Sequence, residues 1–132
     1  MAKYPKAGEM FFPLLAAFCA WIVPGAGHLL VREKRRAAII FAGIAGLFLL
    51  GLYIGSVAVI DPVNERLWYL AQIMVSPIVS LVGKITVVKG YVSYGRPNEI
   101  GQIYTSIAGM MNLLTIINVV YLAHCRISGK SG

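Results

Sequence analysis

Acidic residues are scarce in this chain, with five Asp and Glu against twelve Lys and Arg, and all charged residues together make up 13% of its 132 positions. That is too little charge to cover the surface of a soluble domain of this size. The five acids, Glu9, Glu33, Asp61, Glu65 and Glu99, all fall outside the long apolar stretches. No paired carboxylates sit inside an apolar block, and the intramembrane ionisable groups that mark proton or ion routes are missing. Cysteine is limited to Cys19 and Cys125, so no framework of disulfides is implied. Metalloprotease, CxxC, P-loop and G-x-S-x-G patterns are absent, and catalysis is not expected. Asp61 and Glu65 stand four apart, but Pro62 lies between them, and they read as a solvated turn rather than an acid/base pair.

Apolar length is abundant. The chain is 58% hydrophobic with mean hydropathy +0.76, and four apolar blocks emerge at 11–31, 37–60, 67–88 and 100–123. At 1.5 Å of rise per residue, the 24-residue blocks 37–60 and 100–123 are long enough for a hydrocarbon core of about 30 Å. Block 67–88 holds Lys84 near its end, where a long side chain reaches the headgroups, so it also reads as a span. Block 11–31 is broken by Pro24, Gly25 and Gly27 and is either a kinked span or a re-entrant hairpin. The expected fold class is therefore all-α: one integral-membrane helical bundle over 1–132, with three full spans and a broken first segment. The basic, apolar N-terminal stretch resembles a signal peptide but has no clean cleavage site, and is read as uncleaved.

The distribution of Lys and Arg sets the expected orientation. If block 11–31 crosses fully, the two sides carry seven and five basic residues; if it turns back, they carry nine and three, and the positive-inside tendency favours re-entry. Either way, Arg32, Lys34, Arg35 and Arg36 are expected in the cytoplasm and the C-terminus outside, in a multi-pass protein of the inner membrane. Those four cations also read as contacts to lipid headgroups. The basic residues lie between apolar blocks rather than on one polar face, which disfavours a nucleic-acid partner.

Small and polar residues recur at helical spacing. Gly101, Thr105, Ala108, Asn112 and Thr115 form one seam, and Gln72, Ser76, Ser80 and Gly83 form a counterpart against which it can pack. Block 37–60 carries Ala38, Ala42 and Gly46, then Gly51 and Gly55 in a GxxxG arrangement. More than one close-packing face on a single helix exceeds what so few helices use internally, so contact with other integral membrane proteins or with further copies of the chain is expected. The expected function is a non-catalytic accessory subunit of a larger membrane complex. A small-solute transporter or channel, with a pore built by an oligomer from the Gln72 and Asn112 seams, is the least favoured alternative.

His28 follows the break at Pro24 and Gly25. Its imidazole is expected to bond the freed carbonyls or the basic loop and fix the turn. The functional alternative is a cofactor-bearing subunit in which His28 is the axial ligand of a haem or chlorophyll metal. His124 beside Cys125 lacks a second pair of ligands and reads as an interfacial residue rather than a metal site.

Two stretches resemble a family. Trp21, Pro24, Gly25, Gly27 and His28 form a W-x-x-P-G-x-G-H opening, followed by Arg35 and Arg36. Tyr104, Thr105, Ala108, Gly109, Asn112, Leu113 and Leu114 form a Y-T-x-x-A-G-x-x-N-L-L helix. Both are similar to small bacterial multi-span proteins of unknown function, loosely like TM2-domain hairpins. The chain departs from that pattern at Leu30 (usually aromatic), at Arg32 and Ala37 (usually Gly) and at Asn118 (usually Asp). The resemblance implies the architecture and no activity.

Overall fold

The computed structural model describes residues 7–90 and 95–130. All regular structure among them is helical: α1 (Ala7–Ile22), α2 (Ala26–Leu30), α3 (Lys34–Gly55), a 3-10 turn (Val57–Val59), α4 (Arg66–Ile73), α5 (Ile78–Lys89) and α6 (Arg96–Lys130). Two helices, α3 and α6, are long and apolar enough to cross a membrane, with mean hydropathy of 2.4 and 1.7 over their best windows. Their 22 and 35 residues extend about 33 and about 52 Å.

Block 67–88 is not the continuous span expected. It divides into α4 and α5, and the division has a local cause. Met74 and Val75 close α4 with tight bonds to the carbonyls of Ala71 and Gln72, and Pro77 then has no N–H with which to continue the ladder. The hydroxyl of Ser76 accepts the Ile78 N–H at 3.3 Å and starts α5. The chain turns back on itself here: a Cβ on Gly83 would lie 2.9 Å from the ring of Tyr69.

The first block reverses at Pro24 and Gly25. Gly25 has φ 83, and a Cβ there would sit 2.6 Å from the carbonyl oxygen of Ala37, so only glycine fits. After the turn α2 lies against α1, with the Gly27 backbone facing the Ala16 carbonyl. A Schellman motif ends α2: Glu33 N–H donates to the His28 carbonyl at 2.8 Å and Arg32 N–H to that of Leu29 at 3.0 Å, leaving Arg32 at φ 60.

Helix α3 runs antiparallel to α6, with Gly51 opposite Thr105 and Gly55 opposite Gly101 and Pro97. Glu33 then approaches Arg126 at 3.8 Å, which puts the 32–36 loop and the C-terminal part of α6 at the same end of the bundle. That corrects the expectation that they lie on opposite sides. Block 67–88 reverses within the bundle, so α6 returns to the end from which α3 began. The order is hairpin then long helix, twice over, with the two hairpins entering from opposite ends.

Two apolar clusters hold these pieces together: Ala16, Ala20, Val31, Val119 and Ala123 around the first hairpin, and Ile44, Ile60, Val75, Val79 and Ala108 around the second. Outside them the usual polarity is inverted. Tyr53, Val88, Leu67 and Ile39 are 72–88% exposed, while His28, Gln72, Thr105 and Asn112 have no accessible surface. In the loop after α3, Asp61 accepts the N–H groups of Val63 and Asn64 and the Asn64 side chain. Partial burial pushes its carboxyl up, but these bonds hold it below the ordinary value.

Glycine packing predicts a contrast. Gly109 sits against the Ala71 carbonyl with no room for a methyl group, so Gly109→Ala should destabilise the bundle by about 2 kcal/mol. Gly46 has nothing within 4 Å of a Cβ, and Gly46→Ala should be neutral or stabilise by up to about 1 kcal/mol. Unfolding in mild detergent followed by circular dichroism measures both.

Candidate functional site

The turns of the two hairpins meet beside the middle of α6. Breaking a helix frees backbone carbonyls, and at this depth side chains must satisfy them. Asn112 reaches across from α6: its amide nitrogen lies 2.8 Å from the Met74 carbonyl, 3.0 Å from that of Val75 and 3.3 Å from that of Ala20. The Ser76 hydroxyl donates to the Ile22 carbonyl at 2.7 Å, and the Trp21 indole N–H donates to the Ile73 carbonyl at 3.1 Å. Each hairpin thus supplies donors to the other, and α6 supplies donors to both.

One layer away, Gln72 donates to the Thr105 hydroxyl at 2.9 Å and to the Val59 carbonyl at 3.3 Å. Thr105 in turn donates to the Gly101 carbonyl at 2.8 Å. The donor ends of both amides are engaged, and the buried oxygens Gln72 Oε1 and Asn112 Oδ1 have no donor among the described residues. His28 is similar. Its Nε2 is 3.2 Å from Asn118 Oδ1, and the buried Nδ1 has no partner among the described residues.

The two seams read from the sequence face each other in part. Gln72 meets Thr105, Ala108 packs in the cluster with Val75 and Val79, and Asn112 caps the α4 turn. Ser76 turns to the first hairpin instead. Ser80 bonds the Pro77 carbonyl and Thr115 the Met111 carbonyl, both locally. The GxxxG pair Gly51 and Gly55 is closed by Gly101 and Thr105 within the protomer. Gly46 remains uncovered, and Arg32, Lys34, Arg35 and Arg36 are exposed. Trp21, Pro77 and Gly109 matter more than expected; the signal for the second break was the Ser76-Pro77 pair in mid-block.

His28 does not fit a haem or chlorophyll. An axial ligand must present its lone pair to an open slot for the macrocycle, and His28 is wholly enclosed with Nε2 turned to Asn118. Its ring meets the Asn118 side chain of α6 rather than the freed carbonyls or the basic loop, which corrects that expectation, because α6 packs beside the turn. Among the described residues no three His, Cys, Asp or Glu side chains gather where they could hold a metal ion. The site's chemistry is that of a neutral hydrogen-bonded junction.

Fold and junction define an all-helical bundle with two helices of membrane-spanning length and apolarity. More particularly, the chain belongs to DUF6677, a family of unknown function, which matches residues 15–131, from the middle of α1 through α6. No curated protein and no solved structure matches it.

The junction predicts that Asn112→Leu, which strands the Met74 and Val75 carbonyls, costs about 2–4 kcal/mol in detergent unfolding. Thr115→Ala removes only a bond within its own helix turn and should cost under about 0.5 kcal/mol.

Proposed function

We propose that the chain is a multi-pass protein of the bacterial inner membrane, with α3 and α6 as full spans and the two hairpins re-entrant from opposite faces. The inverted polarity supports the membrane reading: large apolar side chains face outward while amides lie at the centre. Arg32, Lys34, Arg35, Arg36, Arg126 and Lys130 share one end, against Arg66, Lys84, Lys89 and Arg96 at the other, and this excess favours the first end for the cytoplasm. Labelling of single cysteines with an impermeant reagent should therefore report Lys34→Cys and Ser128→Cys, built on a chain without Cys19 and Cys125, on the same cytoplasmic side. Asn64→Cys should label from outside; opposite labelling of positions 34 and 128 removes this topology.

Its function is that of a non-catalytic accessory subunit that packs against other membrane helices. One observation carries this reading: Gly51, Gly55, Gly83, Gly101 and Gly109 are all closed by neighbours in the protomer, whereas Gly43 and Gly46 on α3 lie open. Ala38 and Ala42 are exposed on the same helix. Bare glycine backbone weakens a helix unless another helix takes advantage of the close approach. In mild detergent and in lipid nanodiscs the protein should run as an oligomer or with a stable membrane partner. Gly46→Leu should weaken that association at least tenfold while helicity is kept. A monomer that brings no partner from native membranes eliminates the proposal.

A second reading, an oligomeric small-solute transporter or channel, is favoured by the bare acceptor oxygens of Gln72 and Asn112 where two broken helices meet. Solute flux into liposomes carrying the purified protein, lost in Asn112→Leu, would support it over the first.

A further inference from the structure

At the cytoplasmic end of the proposed orientation, a cleft of about 600 Å³ opens between α1, the α2–α3 turn and α6. Its walls are Phe12, Leu30 and Ile127, and its charged lining is Arg32 and Arg126. We infer that this cleft is a discrete binding site for one anionic phospholipid, whose phosphate lies between Arg32 and Arg126 while its acyl chain runs along the apolar walls. The inference rests on the membrane reading, but not on association through α3.

Charge and shape both point to an amphiphile. Two arginines lining an otherwise apolar cleft suit a phosphate joined to a hydrocarbon chain, and guanidinium matches phosphate in bidentate geometry. The counter-ion on the protein is weak. Glu33 stands 3.8 Å from Arg126 and 3.9 Å from Arg36, beyond hydrogen-bond length, so the donors of Arg126 are not used up by it. Lys34, Arg35 and Arg36 follow in sequence and keep the neighbourhood positive.

The backbone adds an independent indication. Arg32 occupies the left-handed C′ position of the Schellman motif at φ 60, where glycine is the unstrained choice. A long cation kept at a position that disfavours any side chain is expected where the cation has a task. Helix α6 brings Arg126 to the same cleft from a part of the chain far away in sequence, which a topology signal alone does not require.

The test is native mass spectrometry of the intact protein, released from detergent and titrated with phosphatidylglycerol, phosphatidylcholine or inorganic phosphate. One phosphatidylglycerol should be retained in preference to phosphatidylcholine. Arg126→Gln and Arg32→Gln should each weaken it about fivefold or more. Arg126→Lys should recover part of the loss, and Arg35→Gln, with the same change of net charge, should alter affinity less than about twofold. Circular dichroism and Arg32→Gly, which relieves the turn while removing the cation, separate binding from folding: a helical Arg32→Gly protein should still bind weakly. Equal losses from Arg35→Gln and Arg126→Gln reduce the cleft to diffuse surface charge and overturn the site. Binding of inorganic phosphate as tight as that of the lipid overturns the lipid as occupant. A chain that stays dispersed without detergent sinks the membrane reading along with this one, whereas loss of lipid selectivity alone sinks only the cleft.

Discussion

The constraint on which this fold depends is that every freed backbone carbonyl near the middle of the bundle must find a donor. Two of the four apolar blocks are broken, and the breaks lie side by side. Asn112, Ser76 and Trp21 bond the carbonyls of Ala20, Ile22, Ile73, Met74 and Val75, so each interruption is tolerated because the other is present. The amide of Asn112 is the common member. Its geometry, two donors on one planar nitrogen, suits two adjacent carbonyls at the end of α4.

Around that junction the long helices come together through glycine. Gly51 and Gly55 of α3 meet Gly101 and Thr105 of α6, close enough that the backbone of one helix fills the place of a side chain on the other. Thr105 works twice, packing its methyl against Gly51 and taking the Gln72 donor with its hydroxyl. The second hairpin is thereby tied to the same contact that joins the long helices, and the polar layer and the close-packed layer form one connected structure.

The small-residue faces therefore separate into two kinds. Those on α6 and on the C-terminal half of α3 are consumed in building the protomer, while Ala38, Ala42 and Gly46 face outward. Sequence spacing cannot distinguish them, because a glycine that meets a neighbour in its own chain and one that lies open have the same period along the helix. His28 shows the same ambiguity. A lone histidine beside a break suits a metal or a fixed turn equally well, and the ring in fact lies enclosed against Asn118, a partner distant in sequence.

The sequence by itself determined the helical class, the four apolar blocks, the break at Pro24 and Gly25, and the polar character of the face running through Thr105 and Asn112. These follow from local rules of periodicity, length and the missing N–H of proline. It did not determine which blocks run as one continuous helix. Block 67–88 is long enough to span, and its Ser76-Pro77 pair becomes a reversal because Asn112 and the first hairpin stand ready to satisfy the carbonyls of the turn. Whether the C-terminal part of α6 returns to the 32–36 loop was likewise decided by that reversal. Apolar length is a property of a segment, but the direction the chain takes after a break depends on partners distant in sequence, and those are assembled only by the tertiary structure.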